Sequence, residues 1–139
     1  MTIAAIKAER LVRASLWLTA PLNLGVALVL AFPASAPGRL LGLPGVVDPV
    51  YAGLSALMVA LFGLAYAWLA LQPRLDRPVL YLGAIGKAGV FVLAALLWLA
   101  HAASGAIALV ASGDLALACL WLWWLRSTAT LVDRGFSGG

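Results

Sequence analysis

Apolar residues in this chain are gathered into four long blocks, and polar residues are confined mostly to the breaks between them. The first block is residues 14–32, "ASLWLTAPLNLGVALVLAF". The second is about 50–71, the third about 79–102, and the fourth lies within 106–132, centred on "LALACLWLWWL". A helix that crosses a bilayer needs about 20 mostly apolar residues, and each block meets that length.

The breaks carry turn chemistry. "PASAPGRLLGLPGVVDP" holds four of the seven prolines, which predicts a connection without regular helix. Within it, Asp48-Pro49 reads as an N-cap followed by proline at the first helical position. "QPRLDRP" is a short polar break. Residues 104–113 fit either a loop or the first turns of the fourth helix, and Ser112-Gly113-Asp114 is able to cap that helix. Residues 1–13 contain "TIAAIKAERLVR" and predict a separate amphipathic segment in the cytoplasmic headgroup layer. Residues 14–132 then form one membrane domain, and 133–139 a flexible tail. The first block reads as a retained helix rather than a cleaved signal. It is longer than a signal's apolar region, and Pro37 would follow a cut after Ala34-Ser35-Ala36.

Composition turns these blocks into a solvent argument. Of 139 residues, 65% are hydrophobic and 10% charged, whereas soluble domains carry about 45–50% apolar and about 25% charged residues. A water-soluble fold of this size leaves too much surface exposed to hide that apolar content. The predicted fold is an all-α, integral membrane four-helix bundle.

The formal net charge of +4 raises the question of nucleic acid. That partner is excluded, because the basic residues flank apolar blocks and form no patch interleaved with aromatics. Lys7, Arg10, Arg13, Arg74, Arg77, Arg126 and Arg134 fall on one side of the four spans, and Arg39 falls on the other. The positive-inside rule then predicts both termini in the cytoplasm, and the Ala- and Leu-rich spans suggest a bacterial inner membrane. Trp17, Trp68, Tyr81, Trp121, Trp123 and Trp124 lie toward the cytoplasmic ends, and Tyr51 and Trp98 toward the outer ends, as interfacial aromatics do.

One cation breaks the pattern. Lys87 lies inside "YLGAIGKAGVFVLAALLWLA". Counting about 1.5 Å per residue from the cytoplasmic edge, Asn23 stands about 15 Å up its helix, Tyr66 about 12 Å, Lys87 about 13 Å and Asp114 about 18 Å. These four residues, one per helix, share a layer. An unpaired charge at mid-bilayer costs at least about 2.5–3.5 kcal/mol, so Lys87 is expected to face inward and meet Asp114, with Asn23 and Tyr66 supplying further hydrogen bonds. Small residues predict close helix approach: Ala56, Ala60, Gly63, Ala67 and Ala70 in the second block, and Gly83, Gly86 and Gly89 in the third. The layer reads as a structural lock between helices, as a ligand, proton or substrate site, or as no layer at all, with Lys87 snorkelling inward or Asp114 capping a helix at the outer surface.

Other chemistry is sparse. Cys119 is the single cysteine and reads as a small buried hydrophobe. His101 is the single histidine and reads as a polar boundary residue, so bis-histidine haem and a zinc cluster are excluded. No cofactor or metal is expected. "GAIGKAG" lacks the spacing of a phosphate loop.

The pattern "PLNLGVALVLAFP…LLGL", "GLAYA…QP", "GAIGKAG" and "SGDLALA…WLWWL" resembles small bacterial four-span proteins of the loosely DoxX-like kind, over residues 15–126. Asn23, the Gly63/Tyr66 pair, Gly86-Lys87 and Asp114 carry it. The resemblance implies a four-helix integral membrane fold and no particular activity. The favoured function is binding of an apolar or lipid-like small molecule in the bundle, or service as an accessory subunit of a larger membrane complex or a homo-oligomer. An intramembrane acid/base enzyme on a sterol-like or quinone-like ring, using Lys87, Asp114 and Tyr66, is the alternative. A small transporter is a second one. It is disfavoured because the first span holds Asn23 where small multidrug-resistance proteins hold a carboxylate.

Overall fold

A computed structural model describes the backbone of residues 3–136 and side chains as far as Thr128. Its elements are α1 (Ile3–Ala31), α2 (Ala36–Leu41), α3 (Pro49–Leu71), α4 (Arg77–Leu99) and α5 (Gly105–Phe136). Four of them are long and apolar enough to cross a membrane: α1, α3, α4 and the Gly105–Thr128 part of α5. At about 1.5 Å per residue, α3 and α4 are each about 35 Å long, which matches a hydrocarbon layer of about 30 Å. The protein is an all-helical, multi-pass architecture.

Local chemistry sets the helix ends. The Asp48 carboxylate accepts from the Val50 N–H at 2.8 Å, with Pro49 in the first turn of α3. Asp76 does the same for α4, accepting from the Val79 N–H at 3.0 Å ahead of Pro78. The proline-rich connection is not wholly irregular. Ser35 caps a short α2, and Pro37 is tolerated there because first-turn N–H groups have no intrahelical acceptor. Gly42 ends α2 with φ 73°, and a Cβ there would come within 2.8 Å of the Ser104 Cβ. The Ser104 hydroxyl donates to the Leu41 carbonyl and ties this connection to the start of α5.

α4 ends in a Schellman motif. The Ala102 N–H donates to the Leu97 carbonyl at 2.8 Å and the His101 N–H to that of Trp98 at 2.9 Å. His101 takes the left-handed position, φ 55°, where glycine is usual.

The helices pair as two hairpins. α1 packs chiefly on α3 and α4 on α5, and the hairpins meet more through α1 and α5 than through α3 and α4. Arg13 on α1 reaches the end of α3, and Arg77 at the start of α4 reaches Leu125 and Thr128 on α5. These contacts place the start of α1, the end of α3, the start of α4 and the late part of α5 at one basic end.

Several sequence expectations need correction. Residues 3–13 do not form a separate segment; they continue into the first span as one helix, with Pro21 inside it. Neighbouring helices can re-satisfy the carbonyl a proline frees within a membrane. The 104–113 ambiguity resolves as helix from Gly105, so Ser112-Gly113-Asp114 lies within α5 and caps nothing. Of the expected tail, residues 133–136 are helical, and 137–139 lie outside the described residues. Cys119 is exposed, not buried. Trp121 and Trp124 are buried in the core, whereas Trp17, Trp68, Tyr81, Trp98 and Trp123 face outward.

The small-residue stripe is real for some positions only. Gly63 is buried, and a Cβ on it would stand 3.0 Å from the Ala20 carbonyl oxygen and 3.1 Å from the Asn23 Cβ. Gly83 is likewise enclosed, by Tyr66 and Trp121. Ala70 is buried, and Ala56, Ala60 and Ala67 are half-buried. Gly86 and Gly89 do not pack at all: both are exposed, with open space where a Cβ would sit. Helical periodicity explains this. Gly83 and Lys87 are four residues apart and share the inward face, and at about 100° per residue Gly86 and Gly89 turn away from it.

The core is lopsided. Its bulky members are Val12, Leu16, Tyr66, Leu69, Leu75, Leu80, Trp121, Trp124 and Leu125. All lie between the Asn23/Lys87/Asp114 level and the basic end. Beyond that level, the buried hydrophobic residues among those described are Ala27, Ala94 and Ala111.

Gly63→Leu should therefore destabilise the protein by about 1–3 kcal/mol by forcing α1 and α3 apart. Gly86→Leu should leave the melting temperature in detergent unchanged or raised, since nothing opposes a side chain there. His101→Gly should stabilise by about 0.5–1 kcal/mol, by relieving the left-handed backbone. Thermal unfolding in one detergent compares all three with the parent.

Candidate functional site

The site begins with the position of Lys87 on α4. One turn below it on the same face lies Gly83, which keeps α4 thin where Tyr66 and Trp121 press against it. The ammonium group is thereby directed into the bundle. Lys87 forms an ion pair with Asp114 on α5, and its side chain is 7% exposed against 28% for that of Asp114. The pair is asymmetric: the cation is sealed and the anion keeps an opening to the outside.

The other two layer residues converge on the same group. Lys87 Nζ donates a long hydrogen bond, 3.5 Å, to Asn23 Oδ1 on α1. Asn23 Nδ2 in turn donates at 3.4 Å to the Val59 carbonyl on α3. Lys87 Nζ also stands 5.5 Å from the centroid of the Tyr66 ring on α3, a cation–π distance. One ammonium thus contacts groups from all three other spans. All four residues selected from sequence by depth come together.

A second polar contact nearer the basic end escaped sequence reasoning. The Trp121 indole N–H donates to Ser15 Oγ at 2.8 Å, joining α5 to α1. Ser15 Oγ donates to the Val12 carbonyl at 2.7 Å, and Thr19 Oγ1 to the Ser15 carbonyl at 2.6 Å. The Tyr66 and Trp121 rings meet edge-on, with centroids 5.1 Å apart. Serine and threonine within an apolar block usually satisfy their own helix, so Ser15 gives no sequence signal of a cross-helix partner. Trp121 does give a faint one, because it shares a helix face with Asp114 and Ala118.

The basic end is locked by arginines that the sequence marked only as topology signals. Arg13 Nη1 donates to the Ala70 carbonyl at 3.0 Å and the Gln72 carbonyl at 2.6 Å, and Arg13 Nη2 to that of Pro73 at 3.1 Å. The guanidinium caps the negative end of α3, with Glu9 as its counter-ion at 2.8 Å. Arg77 donates to the Leu125 carbonyl and the Thr128 hydroxyl, and lies 5.8 Å from the Trp124 ring centroid. The Trp124 indole N–H is buried with no partner among the described residues.

His101 takes no part in the layer; it is exposed at the far end of α4. Two surface grooves stand out, and neither reaches the layer. One is formed by Ile6, Glu9, Arg10, Arg13, Gln72 and Pro73, the other by Cys119, Leu122, Trp123, Arg126 and Ser127. Comparison with known proteins gives no match to any family model, curated protein or solved structure.

Chemically, the layer offers one ammonium, one carboxylate, one amide and one aromatic face in a setting of low dielectric. Removing one member of such a pair strands the other. Lys87→Met should destabilise by about 1–3 kcal/mol, below the fully buried case because Asp114 is partly open. Adding Asp114→Asn should recover most of that loss. A double-mutant cycle on thermal or denaturant unfolding in detergent checks both, and equal stability of Lys87→Met and the parent would refute the pairing as a structural element.

Proposed function

We propose that this chain is a DoxX-like protein of a bacterial inner membrane, with both termini in the cytoplasm, that binds an apolar or lipid-like molecule within its bundle. The orientation rests on charge: Lys7, Arg10, Arg13, Arg74, Arg77 and Arg126 gather at one end, against Arg39 at the other. The DoxX-like kinship rests on Asn23, the Gly63/Tyr66 pair, Gly86-Lys87 and Asp114. Four of these positions, Asn23, Tyr66, Lys87 and Asp114, also carry the polar layer.

One observation supports binding above all. Bulky core packing stops at the polar layer, and beyond it alanines are the buried hydrophobic residues among those described. Helices whose buried hydrophobic residues there are alanines leave room for other apolar matter between or beside them. Lys87, Asn23 and Asp114 form the polar boundary of that thinly packed half. An apolar body with one hydrogen-bonding end fits this division: its body replaces lipid against the alanines, and its polar end exchanges with the partners of Lys87.

A second reading, the structural lock, is favoured by the reach of Lys87 to groups on all three other spans. The two readings differ in what the Lys87→Met/Asp114→Asn double variant does. On the binding reading it stays folded and loses a co-purifying molecule. Mass spectrometry of organic extracts from parent and double variant, purified alike in mild detergent, makes the comparison. The expected result is an apolar species near one per chain in the parent, reduced at least about tenfold in the variant, as losing about 1.4 kcal/mol of affinity would require. Identical extracts would leave the layer as a lock alone.

A further inference from the structure

The second groove lies on the outside of the bundle, independent of the proposed ligand region, and it is built from one face of α5. Cys119, the Leu122/Trp123 pair and the Arg126/Ser127 pair lie on successive turns of the helix, three to four residues apart, so they form one stripe along it. The groove holds about 580 Å³. The stripe runs from apolar to polar toward the basic end. Arg126 follows Asp114 by 12 residues on the same helix, which at about 1.5 Å per residue puts it about 18 Å from mid-membrane, at headgroup depth.

Arg126 is exposed, and among the described residues it has neither an ion pair nor a hydrogen bond. Its position contrasts with Arg13 and Arg77, whose guanidinium groups are engaged by carbonyls. Trp123, half exposed, stands one turn deeper beside it, as an interfacial indole does. Below them Leu122 and Cys119 continue an apolar track.

We propose that this groove is a site for an anionic phospholipid, with the phosphate on Arg126 and one acyl chain along Trp123, Leu122 and Cys119. Charge complementarity selects the headgroup: a guanidinium pairs with phosphate in a planar, two-bonded geometry. The same charge argues against a second copy of the chain. In a membrane, a two-fold dimer through this stripe sets like depths together and brings Arg126 against its own image. The repulsion is absent when a lipid phosphate occupies the position.

Native mass spectrometry of the whole protein in detergent, titrated with phosphatidylglycerol and with phosphatidylcholine, tests the site. The parent should retain phosphatidylglycerol at about tenfold lower lipid than phosphatidylcholine, the ratio worth one charged contact of about 1.4 kcal/mol. Arg126→Gln should abolish that preference, Arg126→Lys should keep part of it, and Arg74→Gln, at an exposed position outside the groove, should leave it intact. Equal binding of the two lipids by the parent, or an unchanged preference in Arg126→Gln, overturns the proposal. So does efficient oxidative cross-linking of two chains through Cys119 in vesicles, which would make this face a dimer interface. None of these outcomes depends on what binds at the Lys87 layer.

Discussion

An ammonium group at mid-bilayer has to be met by an anion from its own protein, and the bundle is arranged around that need. Insertion of an unpaired Lys there costs at least about 2.5–3.5 kcal/mol. Lys87 avoids the cost by pointing inward to Asp114, with Asn23 and the Tyr66 ring completing its surroundings. Because these partners come from the other three spans, the pairing fixes the relative height of all four. A helix shifted by one turn, about 5.4 Å, would pull its partner out of reach.

The rest of the packing follows from where that group sits. Between the layer and the basic end, aromatic and branched side chains fill the interior: Tyr66 against Trp121, Trp121 against Ser15, and Gly83 thinning α4 to admit both rings. The end itself is closed by Arg13 and Arg77, which spend their donors on backbone carbonyls of neighbouring elements. On the other side of the layer, such packing gives way to alanine. Lipid tails are as apolar as leucine, so hydrophobicity alone does not press helices together in a membrane. Close association has to come from shape and polar contacts, and both are concentrated in the basic half.

Much of this was legible in the sequence, and the reasons are specific. Four blocks of about 20 apolar residues announce themselves, because nothing else in a short chain uses that length. Asp48-Pro49 identified the start of α3 through capping chemistry that operates within three residues. The polar layer could be found by counting residues from the charged edges, since rise per residue is nearly constant in a helix. What failed was rotational information. In blocks apolar on all sides, periodicity marks no inward face, so Gly86 and Gly89 read as packing glycines and Cys119 as a core residue, although all three face outward. The Trp121–Ser15 contact and the capping by Arg13 depend on which helices become neighbours, and a single chain's pattern does not encode that directly.

The contact between the Lys87 and Asp114 side chains is measurable in a bilayer. Solid-state NMR with ¹⁵N on the Lys87 ammonium and ¹³C on the Asp114 carboxyl, in lipid vesicles, reads their dipolar coupling directly. A strong coupling, the signature of a directly hydrogen-bonded pair, is the expected result. A coupling too weak to detect, together with contacts from the Lys87 ammonium to acyl-chain protons, would contradict it.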